Sequence, residues 1–563
     1  MHVRRLALVM IFTALFALTL FGQEAVVTLL PYDGTANTLL QEQIKADTTT
    51  THGMLANRVY ELQRGQVYGA NAIFVVLPGT TLRLRAAAGE GKKPVIYLLE
   101  TGTGNNPTYP PGYFVRLNGG SVELKDVCVA GFYEWEPERL NTVQGGLIGT
   151  TSASESIVVD GCILSNSNGN HIRTDQSVKK VQVSNTIFAN MGALTRSNLG
   201  AGKGLDLRDV AIDTLTLVNN TFVNYQDRAL RHYTTDPTKG PIRYALIDHN
   251  TFVNGMGFHG LFSLGNVGNS ITITNNLFVD GFALGEDSTD GTRAAEWANT
   301  GEYYPNGRSK IQWIFSTPND TTQWQIRNNF YTISDSGWAF LNDFNFGPGE
   351  PLSDHIKNRL GTAADQAFTY VQNFKLVAAP RLMTNMMRWY EDPNGGNKTK
   401  NTPSDKFVVA LHDYDRRLLE YYHDTLDCAY PTTDLAYGAA TYGYPVGDLN
   451  WFPTLKEKWE NGEVLVGITE QVTTEPTKFG LHQNYPNPFN PVTTITFAIE
   501  KSGYTTLSVY NLLGQVVAKP IASKLTVGTY NYVFDAGALP SGVYFCVLES
   551  AGKVSVRKML LLK

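Results

Sequence analysis

Four short stretches of this chain place charged residues where a polymer of opposite charge could lie. They read His171-Ile-Arg-Thr-Asp175, Leu205-Asp-Leu-Arg-Asp209, Ala229-Leu-Arg-His232 and His259-Gly-Leu-Phe-Ser263. If each is an extended strand, alternate residues point to opposite faces. Aligning them on Ile172, Leu207, Leu230 and Phe262 as inward residues puts Arg173, Arg208 and Arg231 at one outward position, with Ser263 fourth. His171 and Asp206 fall one outward position earlier, and Asp175 one later. Guanidinium groups on strands about 4.8 Å apart repel one another unless something anionic lies among them. A polymer bearing carboxylate or sulfate would supply it, because Arg binds such groups through two parallel hydrogen bonds. Asp206, Asp209 and Asp175 would also supply it, and the row would then only staple the strands together. Both readings follow from the same residues.

The strands that position these residues belong to a repeat. Residues 122–331 carry one pattern seven times: a short alternating strand, a polar corner rich in Asn, then a large apolar residue. Val181-Gln-Val-Ser-Asn-Thr-Ile-Phe188, Leu215-Thr-Leu-Val-Asn-Asn-Thr-Phe222, Ala245-Leu-Ile-Asp-His-Asn-Thr-Phe252 and Ile271-Thr-Ile-Thr-Asn-Asn-Leu-Phe278 are the clearest copies. Copies ending at Val129, Leu164 and Tyr331 are weaker. The shortest steps, roughly two dozen residues, fit one turn of a parallel β-helix, and longer steps are turns that carry a loop. One such turn cannot bury its own apolar face, so neighbouring turns must stack. Stacking would put Phe on Phe inside the coil. Asn suits the corner because it tolerates left-handed backbone and its amide can bond along the stack. Residues 70–117 continue the strand rhythm as the first turns, and Leu39 to Gln43 or Met54 to Tyr60 would cap them.

The chain has 563 residues, a net charge of −5 and 17 % charged residues, which gives no electrostatic case for nucleic acid. Gly 52 and Tyr 28 suit a turn-rich extracellular β protein. Residues 1–23 read as a signal peptide, with Arg4 and Arg5 before an apolar run, and no later run is long enough to span a bilayer. The four cysteines do not make a disulfide scaffold. Cys128 and Cys162 fall on neighbouring turns but one position out of register, which favours two buried thiols over a bridge. The long step between Phe278 and Tyr331 holds Glu286, Asp287, Asp290 and Glu296, hard oxygen donors of the kind that bind calcium. Their spacing matches no calcium-loop signature, so a solvated acidic loop is the competing reading. Trp297, Tyr303 and Tyr304 in that loop would stack on sugar rings or pack onto the body. No nucleophilic triad, thiol site or phosphate loop is present in the sequence.

Residues 344–467 read as a loop-rich cover on the C-terminal end of the coil, 468–478 as a linker, and 479–563 as a small sandwich of short strands. Within the sandwich, Gln483-Asn-Tyr-Pro-Asn-Pro-Phe-Asn-Pro491, Val509-Tyr-Asn-Leu-Leu-Gly-Gln515, Ser541-Gly-Val-Tyr544 and Lys558-Met-Leu-Leu-Leu-Lys563 closely resemble the type A sorting domain of the type IX (Por) secretion system. That resemblance implies passage through the periplasm and across an outer membrane by that machinery, to the surface or the medium.

The repeat region resembles the pectin-lyase-like right-handed β-helices. Asn219-Asn-Thr-Phe-Val-Asn224 with Leu230-Arg-His232 is further similar to the polysaccharide lyase six group, the alginate and chondroitin-B lyases. The resemblance implies β-elimination on a uronate glycan, in which a Lys takes the C5 proton, an Arg assists and calcium neutralises the carboxylate. Arg231 and His232 match the family's Leu-Arg-His. Where the family places its Lys, shortly ahead of the Asn-Asn-Thr-Phe corner, this chain has Ala211-Ile-Asp213, and nearby Lys203 becomes the candidate base. The expected protein is therefore all-β: a right-handed parallel β-helix followed by a small Ig-like β-sandwich. It is a monomer directed to the surface or medium, with an acidic polysaccharide as partner. Arg231, Lys203 and His232 are the catalytic candidates, and Arg173, Arg208, His171 and Asp206 the substrate-binding ones. Glu286, Asp287 and Asp290 are the candidate ligands for calcium. The alternative is a non-catalytic, adhesin-like glycan binder.

Overall fold

Each copy of the repeat makes one turn of a coil, and the turn visits three sheets in order. In the computed structural model, residues 24–563 are described except 52–53, 56, 100–111, 132–145, 168, 193–197, 233–238, 402–425, 464, 466–467, 472–477, 526 and 538. The proposed signal peptide and most of the proposed linker lie outside the described residues. Among the described residues the first and second sheets have ten strands each and the third has nine, and all pairings within them are parallel. One turn runs from Ser154–Asp160 in the first sheet, through Ile163–Ser167 in the second, to Asn170–Arg173 in the third. The fold is a parallel β-helix.

The repeated residues stack in the register the sequence implies. Val129, Leu164, Phe188, Phe222, Phe252, Phe278 and Tyr331 are paired in succession along the second sheet. The rings of Phe188, Phe222, Phe252 and Phe278 form one stack, with centroids 4.4, 5.0 and 4.9 Å apart. Such contacts add to the burial of the rings themselves. The corner before this stack divides its labour between two adjacent residues. Asn219, His249, Asn275 and Asn328 take the left-handed conformation that turns the chain. Asn220, Asn250, Asn276 and Asn329 follow them, point inward and link amide to amide at 2.9 Å on successive turns. A second ladder, Asn166, Asn190, Asn224 and Asn254, runs along the next corner, where each residue both turns the chain and bonds its neighbour. Buried amides are thereby satisfied by copies of themselves.

At the N-terminal end a helix, Leu40–Thr51, buries Leu40 and Ile44 against the coil core. The sheets run past residue 343: Glu350–Leu352 joins the third and Phe368–Tyr370 the second. Ile356, in the helix Asp354–Leu360, packs into the core at that end. The helix Asp354–Leu360 belongs to the segment expected to cover the end of the coil, and other described residues of that segment lie along the flank. Leu426 and Cys428 pack on the outward apolar residues of the second sheet, Val95, Tyr97, Ile163, Val223 and Val253, with Leu376 and Trp451 beside them. Asp448 accepts a hydrogen bond from Thr221 (2.8 Å) and donates its backbone N–H to Thr251 (2.8 Å). These residues pack there because the outer face of this sheet is apolar.

All four cysteines are free and buried. Cys128 pairs in register with Ile163, so it points outward into the flank cluster while Cys162 points into the core. One position out of register means opposite faces of the sheet.

A second unit contains the tail. Two antiparallel four-stranded sheets form an Ig-like sandwich. Its first strand is Ile468–Gln471, paired with Gly528–Asp535, so the start of the proposed linker belongs to the sandwich. The final strand, Lys553–Leu561, buries Met559 and Leu561 against Phe489, Tyr544 and Leu548. The C-terminal residues of the sorting motif are thus part of the sandwich core.

Candidate functional site

The outer face of the third sheet carries the charge. Its register runs Val75, Arg116, Gly149, Arg173, Asp206, Arg231, Ser263 and Phe315 at one outward position on successive turns. This corrects the alignment drawn from sequence. Leu205, not Leu207, is the inward partner of Ile172 and Leu230, so Asp206 takes the place assigned to Arg208. Arg208 lies past the end of the strand, in left-handed backbone (φ 50°), with its guanidinium 4.0 Å from Asp206. The strand ends at Asp206, just before Leu207, and two buried Leu residues two apart cannot be told apart by alternation alone.

His171 is also corrected. It faces the core, fully buried, and its ring stacks on Phe188 at 5.8 Å. Burial pulls its pKa down to about 3, so it stays neutral and holds no anion. His232 is buried as well, its Nε2 2.9 Å from the carbonyl of Val210, and burial lowers its pKa. It braces the turn after the strand.

Beside this row, Asn170, Lys203 and Arg228 share a second register position. Here the third sheet meets the loops arriving from the second, and the structure gathers groups that lie far apart in sequence. The Lys203 ammonium lies 3.0 Å from Asp227 and donates to the carbonyl of Gly200. Asp227 also accepts from Arg228 (3.0 Å) and from both the backbone and the Nδ1 of His259 (2.9 Å each). Glu296, from the long loop, accepts from Arg228 at 3.0 Å and lies 3.9 Å from Arg231. Arg231 reaches Asp206 at 3.2 Å. Further along, Asp175 takes Arg173 at 2.9 Å and Arg116 at 3.5 Å.

The electrostatics follow from this packing. Burial lowers the Lys203 pKa, and Asp227 and Asp206 only partly oppose it. Burial would raise the Asp227 carboxyl, but Arg228, Lys203 and His259 outweigh it and hold the group well below the usual carboxylate range. Glu296 is held at about 2 in the same way, against its burial, by Arg228, His259 and Arg231. Among the described residues of this face six cations, Arg116, Arg173, Lys203, Arg208, Arg228 and Arg231, meet four carboxylates, Asp175, Asp206, Asp227 and Glu296. The surplus is positive in a chain whose net charge is −5.

Calcium does not fit this face. Each of its four carboxylates already faces Arg or Lys, and no oxygen-rich cradle is left among the described residues. The acidic loop separates likewise. Glu286 accepts from Tyr304 at 3.1 Å, apart from the other two. Asp287 and Asp290 instead group with Glu391 of the flank segment, ligand atoms within 4.8 Å of one another. Lys398 bonds Asp287 there and lies 3.5 Å from Glu391, while Tyr390 donates to Asp290 at 2.7 Å. Trp297 is fully buried and Tyr304 packs on the coil, so of the loop aromatics only Tyr303 is exposed.

Sequence reading gave no site role to Arg228, Asp227, His259, Arg116 or Tyr113. Arg116 was within reach: Val115 aligns with Ile148 and Ile172, and carrying the register two turns upstream finds it. Asp227 and His259 sit in the connections between sheets, where no periodicity marks them.

Residues 483–562 match the secretion system C-terminal sorting domain family. No curated protein and no solved structure matches the chain. The chain is therefore a parallel β-helix protein carrying a type IX sorting domain, and it is exported to the cell surface or beyond. Among the described residues no helix is long and apolar enough to cross a membrane.

Proposed function

We propose that this exported coil recognises an acidic, uronate-bearing polysaccharide on the outer face of its third sheet. The observation that carries the reading is the surplus of guanidinium and ammonium groups over carboxylates along one row of stacked strands. The side chains of Arg116 and Arg173 are 28 % and 32 % exposed, enough to be reached by a ligand while their carboxylate partners hold them in place. Pre-set cations of this kind bind anions without first having to be ordered. The test is retention of the full chain by a panel of uronate polysaccharides in native gels, with a neutral glucan as control. Retention that weakens with added salt is the expected result; equal mobility in all gels would overturn the proposal.

One observation favours turnover as a second reading. Lys203 is buried and its pKa is lowered, which raises the fraction of neutral amine available as a base. In that reading the Lys203 amine takes the C5 proton of a uronate and the C4–O bond breaks. A C4–C5 double bond forms, and the departing oxygen takes a proton from water. Arg231 balances the charge that builds on the carboxylate. The unsaturated product absorbs in the ultraviolet, so absorbance during incubation with the same panel separates a lyase from a binder.

A further inference from the structure

The register of the third sheet contains a period that the positions in sequence do not show. Arg116, Arg173 and Arg231 occupy the same outward position, each two turns from the next. At about 4.8 Å per turn, neighbours in this series are roughly 10 Å apart, about the length of one disaccharide in an extended chain. The rungs between them are of another kind. Asp206 lies between Arg173 and Arg231 and repels a carboxylate placed over it. Gly149 lies between Arg116 and Arg173. A Cβ there would come within 2.7 Å of the Tyr113 ring, and one at Gly146 within 2.8 Å, so both glycines make room for that ring against the sheet.

Tyr113 in turn sets the first rung. The Arg116 guanidinium lies 4.3 Å from its ring centroid, a cation–π contact that fixes the side chain over the face. Arg116 and Arg173 then share the single carboxylate of Asp175, and the buried Nε of Arg116 has no hydrogen-bond partner among the described residues. Two guanidinium groups on one carboxylate leave positive charge and donors unused. The row ends in apolar residues, Val75 before Arg116 and Phe315 after Ser263.

We infer that Arg116, Arg173 and Arg231 form a ruler for a linear acidic polysaccharide that turns one carboxylate toward the protein per disaccharide. Tyr113 is a positioning residue for the first mark. This inference rests on the reading of the face as a glycan site and narrows the ligand. Two polymers share the required chemistry: a polyuronate whose successive carboxylates alternate sides, and a copolymer in which uronates alternate with uncharged sugars.

The experiment is calorimetric titration of the full chain with oligosaccharides of two, four, six and eight sugars, cut from alginate in one series and from unsulfated chondroitin in the other. Affinity should climb about tenfold at each step to six sugars, as each further Arg gains a charge-assisted bond, and then stay level. The series that shows the steps identifies the polymer. Arg116→Gln should remove the gain from four to six sugars and leave the shorter ligands unaffected. Gly149→Leu, which displaces Tyr113, should do the same with Arg116 intact. A smooth rise with length, or an Arg116→Gln variant weakened equally for every length, overturns the ruler and leaves glycan binding standing. A wild-type chain that binds neither series overturns both.

Discussion

At the corner between the first and second sheets, successive turns carry the same residues; on the outer face of the third sheet they carry different ones. The corner repeats Asn and Phe because stacked turns satisfy identical groups with one another: amide bonds amide at 2.9 Å and ring lies on ring. The third sheet cannot repeat a charge in this way without repulsion. It alternates instead, Arg173 with Asp206 with Arg231, and calls in Glu296 and His259 from the connecting loops. Repetition specifies the coil, and departure from repetition makes a surface that can discriminate between ligands.

The sharpest way to break this contrast is to remove one member of each region. Phe222→Ala should cost about 3–5 kcal/mol through the cavity left in the stack. Asp227→Ala should cost a similar amount, about 3–5 kcal/mol, because Lys203 and Arg228 would stay buried without their carboxylate. A second substitution tells them apart in denaturant melts. Lys203→Met should recover part of the Asp227→Ala loss, because it removes one of the orphaned buried cations, and should not restore Phe222→Ala. No recovery in the Asp227→Ala background would mean that the charged cluster contributes packing only.

A buried carboxylate that its neighbouring cation compensates only in part extends the comparison. Glu391 is pushed up to about 7, first by burial, with Lys398 only partly opposing, whereas Glu296 is held at about 2. The folded state keeps the Glu391 proton after the unfolded chain has lost it near its ordinary value of 4.5. Stability therefore falls as pH rises from about 4.5 to about 7, by up to about 3 kcal/mol. Glu391→Gln should flatten that fall, melting above wild type at pH 8 and near it at pH 4. A variant whose melting point tracks wild type at both pH values would show that the group titrates normally.

Within the corner, Asn250→Ala should cost about 1–3 kcal/mol. Its amide bonds Leu217 and Asn276, and its oxygen accepts from Asn220, so neighbours above and below lose partners. Hydrogen exchange should quicken on both adjacent turns; protection lost on one turn alone would show that the ladder does not couple them. The smallest stability effect belongs to Arg173→Ala. Its ion pair is a third exposed and should contribute under about 1 kcal/mol. Glycan affinity should nevertheless drop about tenfold. A lower melting point with unchanged affinity would make the row a staple and end its candidacy as a site.

What the chain declares by itself is whatever repeats or alternates. The Asn-Asn-Thr-Phe corner announced the coil, the Phe stack and the amide ladders, because a stacked turn sees mainly its own copies. The sorting motif was legible because each of its four stretches is contiguous, and the first and last, with Phe489 and Leu561, meet in the sandwich core. The face of the third sheet was legible only in outline. Alternation showed that Arg173 and Arg231 point outward. It could not choose between Leu205 and Leu207 as the inward residue, so Arg208 was placed where Asp206 stands. Nor could it show that His171 turns inward to lie on Phe188. Lys203, Asp227, His259 and Glu296 meet only when three turns and a long loop close on one point, and local sequence carries no trace of that closure. The register decided the site, because sliding one strand by two residues leaves the apolar pattern unchanged while exchanging a cation for an anion.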